Sequence, residues 1–339
     1  MIREKIEKAL EQELGGINAE GALCALNING EINTYSAGNI TTHEHKSSFY
    51  IYSLSKTITA VAIMLLAEKG LLNLNEDLSL SVNEYTLPKE VTLIHLLNHT
   101  GGISDYFSLS EYQKAVHENP KTPWSYEKLM KLGLSKTPVY SVGEGWLYSN
   151  PAYAILKEVI EKVSGQKYYA FIQKYIIGPL NLTKTKPFDR LDHGVELLHG
   201  VDPDMSEDFR YTYDPGWIST GSFISTVSDV SKFYQALFLG RLVNDSSLNL
   251  MKETISVPFN FFLPRRPMYG LGLMSFDNDP HGENYGHGGG GPGYSNYAKH
   301  LPDFNGKQVT VVSVVNASLP QTPFQISHCV LDCLSSENE

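Results

Sequence analysis

Apolar positions fall into distinct textures along the chain, and their order predicts the order of elements. Residues 2–14 place Ile2, Ile6, Ala9, Leu10 and Leu14 at helical spacing between charges, which predicts an amphipathic helix stopped by Gly15-Gly16. Residues 22–28 and 31–37 flank Asn29-Gly30, and that dipeptide between two such runs predicts a hairpin. Residues 50–66, YIYSLSKTITAVAIMLL, are almost unbroken in apolar character beyond Ala60, the pattern of a helix buried on all sides. From about residue 71 to residue 210 the texture is more polar and turn-rich. Short helical pieces there are a segment ending at Gly101-Gly102 and residues 125–132, 152–163 and 168–177. Strand patterns return at 269–276, 283–289, 294–301 and 308–315, and residues 324–334 read as a closing helix. This order predicts an α+β fold in which an antiparallel sheet from both chain ends, residues 1–72 and 211–339, is flanked by helices beside an inserted all-helical lobe of residues 73–210.

Inside the buried stretch, Ser53 and Lys56 are three residues apart. On a helix that begins at Ser53 they share one face, so an ammonium sits beside a hydroxyl in apolar surroundings. Desolvation disfavours the charged lysine and lowers its pKa, which lets Lys56 take the proton of Ser53. The same S-x-x-K spacing recurs at Ser125/Lys128 and Ser164/Lys167. Ser125 opens a polar segment with Glu127 in its first turn, as a surface N-cap does, and Ser164 precedes Gly165 at a helix end. On spacing alone, a capping serine with a solvated lysine is the competing reading of Ser53 as well.

The 339 residues suffice for two domains or one two-lobed one, so burying such a pair is feasible. With 27 basic and 37 acidic residues the formal charge is −10, and no stretch gathers lysine and arginine with aromatics, so nucleic acid is not an expected partner. The longest apolar run, residues 60–67, is far below the roughly 20 residues that span a bilayer. The charged N-terminus does not resemble a signal peptide. A cytoplasmic protein without a membrane partner is expected, with a removed leader left open. Cys24, Cys329 and Cys333 have no framework spacing, which predicts buried thiols, and no C-x-x-C is present to hold zinc. His95 and His99 lack the intervening glutamate of a metalloprotease helix, and His43-Glu44-His45 has no third ligand in sight, so neither a metal nor a cofactor is expected. No G-x-S-x-G occurs, which removes the usual elbow of the α/β-hydrolases.

A serine–lysine site needs a second proton carrier and donors for an oxyanion. Tyr148-Ser149-Asn150 precedes a predicted helix, a loop position where a phenol and an amide can face a cleft. A second Y-x-N, Tyr294-Ser295-Asn296, starts a predicted strand and is the less favoured of the two. His287 is followed by four glycines, whose N–H groups a ligand oxygen can approach closely; the competing reading is a flexible turn. A phosphate loop is disfavoured, because no lysine-serine or lysine-threonine follows.

In order and separation, Ser53-Leu54-Ser55-Lys56, Tyr148-Ser149-Asn150 and His287-Gly288-Gly289 resemble the three active-site motifs of the serine β-lactamase and penicillin-binding protein superfamily, nearest its class C branch with esterase, D-aminopeptidase and DD-peptidase relatives. The likeness continues through LIHLLNHTGGISDY, IEKVSG, GPLNLTKT, STGSFISTVSDVSKF and YGLGL, and so covers nearly the whole chain. It implies a β-lactamase/transpeptidase-like fold, Ser53 as the acylated nucleophile, Lys56 as its general-base partner and Tyr148 as the group that passes a proton to the leaving group and later activates water. It further implies that Asn150 binds the substrate's acyl-side amide, and that His287, Gly289 and Gly290 form the facing side of the substrate site, with the N–H groups of Ser53 and Gly290 as the oxyanion hole.

One departure from the family pattern bears on substrate. Where many members carry Lys-Thr-Gly, this chain has His-Gly-Gly, so a permanent cation is replaced by an imidazole with a reference pKa near 6.5. That favours the esterase, aminopeptidase and amidase branches over β-lactams or D-alanyl-D-alanine. Arg265 and Arg266 are candidates to replace the cation if their loop folds over the cleft. The expected function is a serine hydrolase acting on a small ester, amide or D-amino-acid peptide. Acyl transfer or peptide cyclisation through the same acyl-enzyme, β-lactamase or DD-carboxypeptidase activity, and a penicillin-binding sensor without turnover are the other readings.

Overall fold

A computed structural model describes residues 2–17, 19–40, 47–78, 87–134, 138–201, 209–258 and 265–336. The chain opens with helix α1 (Ile2–Leu14) and the hairpin β1 (Gly21–Ile28) and β2 (Glu31–Gly38), whose turn residues Asn29 and Gly30 both take positive φ, as the Asn-Gly signal requires. The short strand β3 (Phe49–Tyr50) leads into the buried helix α2 (Ser55–Glu68). Helices α3 (Leu93–Leu97), α4 (Ser110–Glu118), α5 (Tyr126–Leu134), α6 (Asn150–Ser164) and α7 (Tyr168–Ile172) follow, the last running into a π-helical turn at Gln173–Ile177. Strand β4 (Lys186–Pro187) pairs with β5 (Phe223–Ser225), and Leu197 and Val201 make isolated bridges, so the described parts of residues 73–210 combine helices and irregular connections with this one short strand. Helices α8 (Val227–Phe238) and α9 (Asp245–Lys252) then precede strands β6 (Ile255–Ser256), β7 (Pro267–Tyr269), β8 (Met274–Phe276), β9 (Tyr285–Gly291), β10 (Tyr294–Phe304) and β11 (Lys307–Val315). Helix α10 (Gln321–Ser335) ends the described chain.

The main sheet has eight strands in the order β2-β1-β11-β10-β9-β8-β7-β6, paired antiparallel throughout, with the N-terminal hairpin beside the C-terminal strand. Both faces are covered, and the two-residue period of the strands sorts the side chains between them. Ala22, Cys24 and Leu26 of β1, with Val309, Val311 and Val315 of β11, pack with Ile6 and Leu10 of α1 and Ile326 and Val330 of α10. Leu23 and Ala25, with Val312 and Val314, face the larger core that contains α2, α6 and α8.

Two expectations change in detail. Residues 269–276 form the hairpin β7–β8 rather than one strand, because Gly272, at φ +71, turns the chain against α2 and its carbonyl accepts from Thr57 Oγ1 at 2.7 Å. The strand expected over 283–289 is β9, shifted to Tyr285–Gly291, so the glycine run continues it and the competing reading of a flexible turn falls. Helices α4, α8 and α9 were not among the expected elements. His43-Glu44-His45 lies outside the described residues.

Candidate active site

Ser53 sits in a 3-10 turn, Tyr52–Leu54, that runs directly into α2, so the helix proper starts two residues later than a Ser53 start would place it. The lysine is still on the serine's side: Lys56 Nζ is 3.2 Å from Ser53 Oγ. Tyr52, the residue before the serine, has φ +46, a conformation that costs a bulky residue about 1–3 kcal/mol and persists only where the surroundings enforce it. Here the ring stacks on Tyr50 and the hydroxyl donates to the Pro292 carbonyl, which pins the turn that aims Ser53. The other two S-x-x-K serines are at helix ends: Ser125 Oγ accepts from the Lys128 backbone N–H, and Ser164 closes α6.

Lys56 is only 1% exposed, yet among the described residues its hydrogen-bond partners are a hydroxyl and an amide rather than a carboxylate. Its Nζ donates to Asn150 Oδ1 at 2.8 Å and faces the rings of Tyr148 and Tyr153, 4.7 and 5.4 Å from their centroids. The far end of the same amide, Asn150 Nδ2, donates to Asp105 Oδ1 and Oδ2 at 3.3 and 3.1 Å. One amide therefore separates the ammonium from its nearest countercharge and is itself oriented by both. Burial pulls the Lys56 pKa down to about 7, against the Asp105 charge, which raises it. Burial pushes the Asp105 carboxyl up, against the Phe107 N–H, the Lys56 charge and Asn150. A lysine in this state supplies both an amine and an ammonium at neutral pH.

Tyr148 and Asn150 are placed by a helix start. Ser149 caps α6 by accepting from the Ala152 N–H at 3.2 Å, and its hydroxyl donates to the Ser104 carbonyl. The Tyr148 hydroxyl is buried and closes no hydrogen bond of its own. Burial holds its pKa well above the usual phenol value, and the neighbouring Ser53 hydroxyl pulls against that without reaching hydrogen-bond geometry. A neutral buried phenol with a free proton is a donor in wait. The second Y-x-N lies across the site on β10: Asn296 Nδ2 donates to the Tyr50 carbonyl, and the Tyr294 hydroxyl donates to the Leu198 carbonyl, away from Lys56.

Opposite Ser53 runs the glycine strand β9. A Cβ on Gly289 would meet the Ile51 carbonyl at 2.4 Å, and one on Gly291 the Tyr52 ring at 2.6 Å, so this strand lies directly against the serine turn. The two-residue turn Pro292-Gly293 makes Gly291 and Tyr294 the closing pair of the β9–β10 hairpin. Antiparallel alternation then turns the N–H and C=O of Gly290 and Gly288 outward from β10. On that side β8 pairs only with Gly286, which leaves both glycines on an open edge. His287 projects toward α2, where burial and the Lys56 charge pull its pKa down to about 3 against the bond to the Gly288 carbonyl. The sequence suggested a histidine that charges below pH 6.5; in its buried place it stays neutral.

Ser53, Tyr148, Asn150, His287, Gly289 and Gly290 all line one cleft of about 990 Å³, with Lys56 beneath it. Tyr112, Tyr213 and Trp217 form one wall, and Phe276, Tyr297 and Phe324 the other. Among the described lining residues there is no lysine or arginine, and Asp105 is the one carboxylate. Arg265 Nη1 donates to the Asn278 carbonyl and Arg266 Nε to Ser256 Oγ, and neither lines the cleft, so they do not replace the missing cation. Asp105, which lines the cleft, and Tyr269 behind it were not singled out in the sequence, and His99 was weighed there only beside His95 as a metal pair. The one signal for Asp105 and His99 as site residues was their place in HTGGISDY. His95 caps α3 with Thr92, while His99 turns into the site, so the pair shares no ligand. Asp279, His281 and His328 do converge, but Lys299 Nζ stands 2.6 Å from Asp279 Oδ2 and 3.1 Å from His328 Nε2, so that cluster carries its own cation.

With this geometry in place, comparison with known proteins is direct. The family profile described as Beta-lactamase matches residues 6–326. A penicillin-binding protein of Bacillus subtilis is 33% identical over 263 residues, 74% of this chain and 57% of its own length. A lovastatin esterase of Penicillium rubens is 29% identical over 206 residues, 53% of this chain and 50% of its own. The chain thus spans about half the length of these curated relatives. Among solved structures, a D-stereospecific amidohydrolase from Streptomyces superposes with a TM-score of 0.83 at 26% identity, covering 95% of this chain and 97% of that one. A D-amino acid amidase from Ochrobactrum anthropi has a TM-score of 0.83 at 20% identity, covering 99% of each chain, a likeness of fold.

Proposed function

The chain belongs to the Beta-lactamase family, and on that premise we propose that it is a serine hydrolase that forms an acyl-enzyme at Ser53 from a small neutral ester or amide. The observation that carries this reading is the buried lysine 3.2 Å from the serine hydroxyl, with its pKa pulled down to about 7 and, among the described residues, an amide rather than a carboxylate as its other hydrogen-bond partner. A neutral Lys56 takes the Ser53 proton as Oγ attacks the acyl carbon. The carbonyl oxygen, now an oxyanion, is held by the N–H groups of Ser53 and Gly290. Tyr148 gives its proton to the leaving group and recovers one from Lys56. In the second half, water loses a proton to the same pair, adds to the acyl carbon and returns the proton to Ser53 as the acid departs. Asn150 keeps the lysine in place and offers its amide to the acyl side.

The substrate class follows from the cleft. Aromatic walls and the lack of a described lysine or arginine among its lining residues favour an apolar acyl group without a carboxylate. Relatives named as an amidohydrolase and as an esterase support the ester or amide class without choosing between them. The test is intact-mass measurement after mixing with a fluorophosphonate and with a panel of acyl donors, followed by peptide mapping. A single adduct on Ser53 is expected. Label on Ser125 or Ser164 with Ser53 untouched overturns the assignment.

A further inference from the structure

Behind the site runs a line of hydrogen bonds that the proton transfers above do not use. The backbone N–H of Ser149 donates to His99 Nδ1 at 3.2 Å, and His99 Nε2 is 3.2 Å from the Tyr269 hydroxyl. That hydroxyl is 2.8 Å from His287 Nε2, and His287 Nδ1 is 2.6 Å from the Gly288 carbonyl oxygen. All three side chains are buried, each 1% exposed.

The two ends decide where every proton sits. A backbone N–H only donates and a carbonyl only accepts. His99 Nδ1 is therefore the bare nitrogen, and its Nε2–H donates to the Tyr269 oxygen. The Tyr269 O–H in turn donates to His287 Nε2, and the remaining proton, on His287 Nδ1, goes to Gly288. Because neither end can give up or take a proton, the line is not a relay. It is a clamp with one allowed state.

We propose that His99 and Tyr269 are positioning residues that lock His287 as the neutral Nδ1–H imidazole and so tie the Tyr148–Asn150 segment to the Gly288 carbonyl, two residues before the oxyanion donor. The structural content stands on the hydrogen bonds alone, and only its kinetic consequence rests on the acyl-enzyme reading of Ser53. His99 is itself held at φ +65, so its ring is aimed from a backbone state that few side chains adopt. The groups that act on His287 are Lys56 from α2, Tyr148 from the segment before α6, Tyr269 from β7 and His99 beyond it; none brings a negative charge. Protonation at Nε2 would take from the Tyr269 hydroxyl the acceptor its proton now has. The clamp thus keeps a positive charge out of the place where many relatives hold a lysine. Together with burial and the Lys56 charge, it supports a preference for uncharged substrates.

Long-range 1H–15N spectra of the full chain carrying 15N-histidine test this, with His287 assigned by loss of its signals in His287→Gln. In the wild type the expected pattern is Nδ1–H for His287 and Nε2–H for His99, with neither titrating between about pH 5 and 8.5. In Tyr269→Phe, His287 loses the partner that requires its bare Nε2, so its protonation moves to higher pH than in the wild type, though burial and the Lys56 charge still act against it. The ratio of kcat/KM for a neutral ester to that for its carboxylate-bearing analogue then falls by about tenfold at the acid end and recovers at the alkaline end, the effect of one charge gained. A merely structural role for Tyr269 would lower both substrates equally at every pH. A wild-type His287 found as the Nε2–H form or titrating in this range overturns the clamp, as does a Tyr269→Phe variant in which both tautomer and ratio are unchanged. The spectra need no turnover, so they decide the clamp even if Ser53 proves not to be the nucleophile.

Discussion

Two lysines are fully buried among the described residues, one on each face of the main sheet, and they keep opposite company. Lys299, on β10 under α10, touches Asp279 directly at 2.6 Å, with both side chains completely enclosed. Burial pulls its pKa down to about 8, and the Asp279 charge and hydrogen bond pull it back up. Asp279 would be raised by burial, but the His281 bond and the Lys299 charge outweigh that and hold its carboxyl well below the usual range. The His281 backbone N–H donates to Asp279 Oδ1, His328 Nε2 accepts from Lys299, and Asp332 ties His281 to α10. Lys56, on the other face, has a serine, an amide and two rings, with its carboxylate one amide away. The first arrangement satisfies an ion and keeps it charged. The second leaves a lysine near its point of neutrality, which is what a base needs.

The sharpest way to break this comparison is to remove each lysine in turn. Lys56→Ala is expected to lower kcat/KM for an activated ester by about two or more orders of magnitude, the scale of general acid–base catalysis, with the thermal transition little changed. Tyr148→Phe is expected to act in the same way. Lys299→Ala is expected to do the reverse: it strands the Asp279 carboxylate in a buried site, costing about 3–5 kcal/mol, while folded molecules keep their turnover. Steady-state kinetics and urea unfolding on the same preparations check both halves. An activity loss in Lys299→Ala at full stability would mean that the two faces are not separate in function.

A smaller effect follows from protonation. A lysine base works only when neutral, so if Lys56 is that base, its pKa near 7 makes the rate of acylation rise with pH through about 7 and level off above. Asp105 opposes the downward shift, so its removal in Asp105→Asn takes away a term that favours the ammonium, and the acid limb should move to lower pH. The pH profile of kcat/KM measures both. A limb that stays in place, or moves upward, would show that Asp105 does not act on Lys56 through its charge.

How much of this was legible in the chain differs between its two faces for a physical reason. The side proposed as catalytic announces itself through local patterns: a lysine three residues after a serine in an apolar helix, a tyrosine and asparagine at a helix start, a histidine before glycines. Each is a spacing within one element. Asp105, His99 and Tyr269 carry no such spacing. They matter because α3, β7 and the segment after Gly102 converge, and that convergence is set by packing over long sequence separations. Lys299, Asp279 and His328 are unreadable for the same reason, coming from β10, the β8–β9 connection and α10. The glycine run was readable as the end of a strand and as an approach surface, but its continuation through Gly291 was not, because its pairing to Tyr294–Phe304 depends on a turn and not on side chains of its own.

The smallest expected effect concerns the two arginines, and it sharpens the comparison by a near-absence of change. If the lining of the cleft, described without a lysine or arginine, is what disfavours anions, Arg265 and Arg266 should matter little to it, since they hydrogen-bond Asn278 and Ser256 and do not line the cleft. Arg265→Ala and Arg266→Ala are therefore expected to leave kcat/KM for a matched neutral and anionic substrate pair within about twofold of the wild type, the residue of a long-range field that salt screens beyond roughly 8–10 Å. The same pair should show a standing preference for the neutral member at pH 7.5, and penicillins, which carry a carboxylate, should be turned over slowly. Raising the ionic strength separates the two contributions: a preference that comes from the neutral floor of the cleft persists in salt, whereas one that comes from the −10 net charge fades. A preference for the anion that disappears in either arginine variant would mean that a carboxylate site exists on this face after all, and that the contrast between the two buried lysines does not extend to what each face admits.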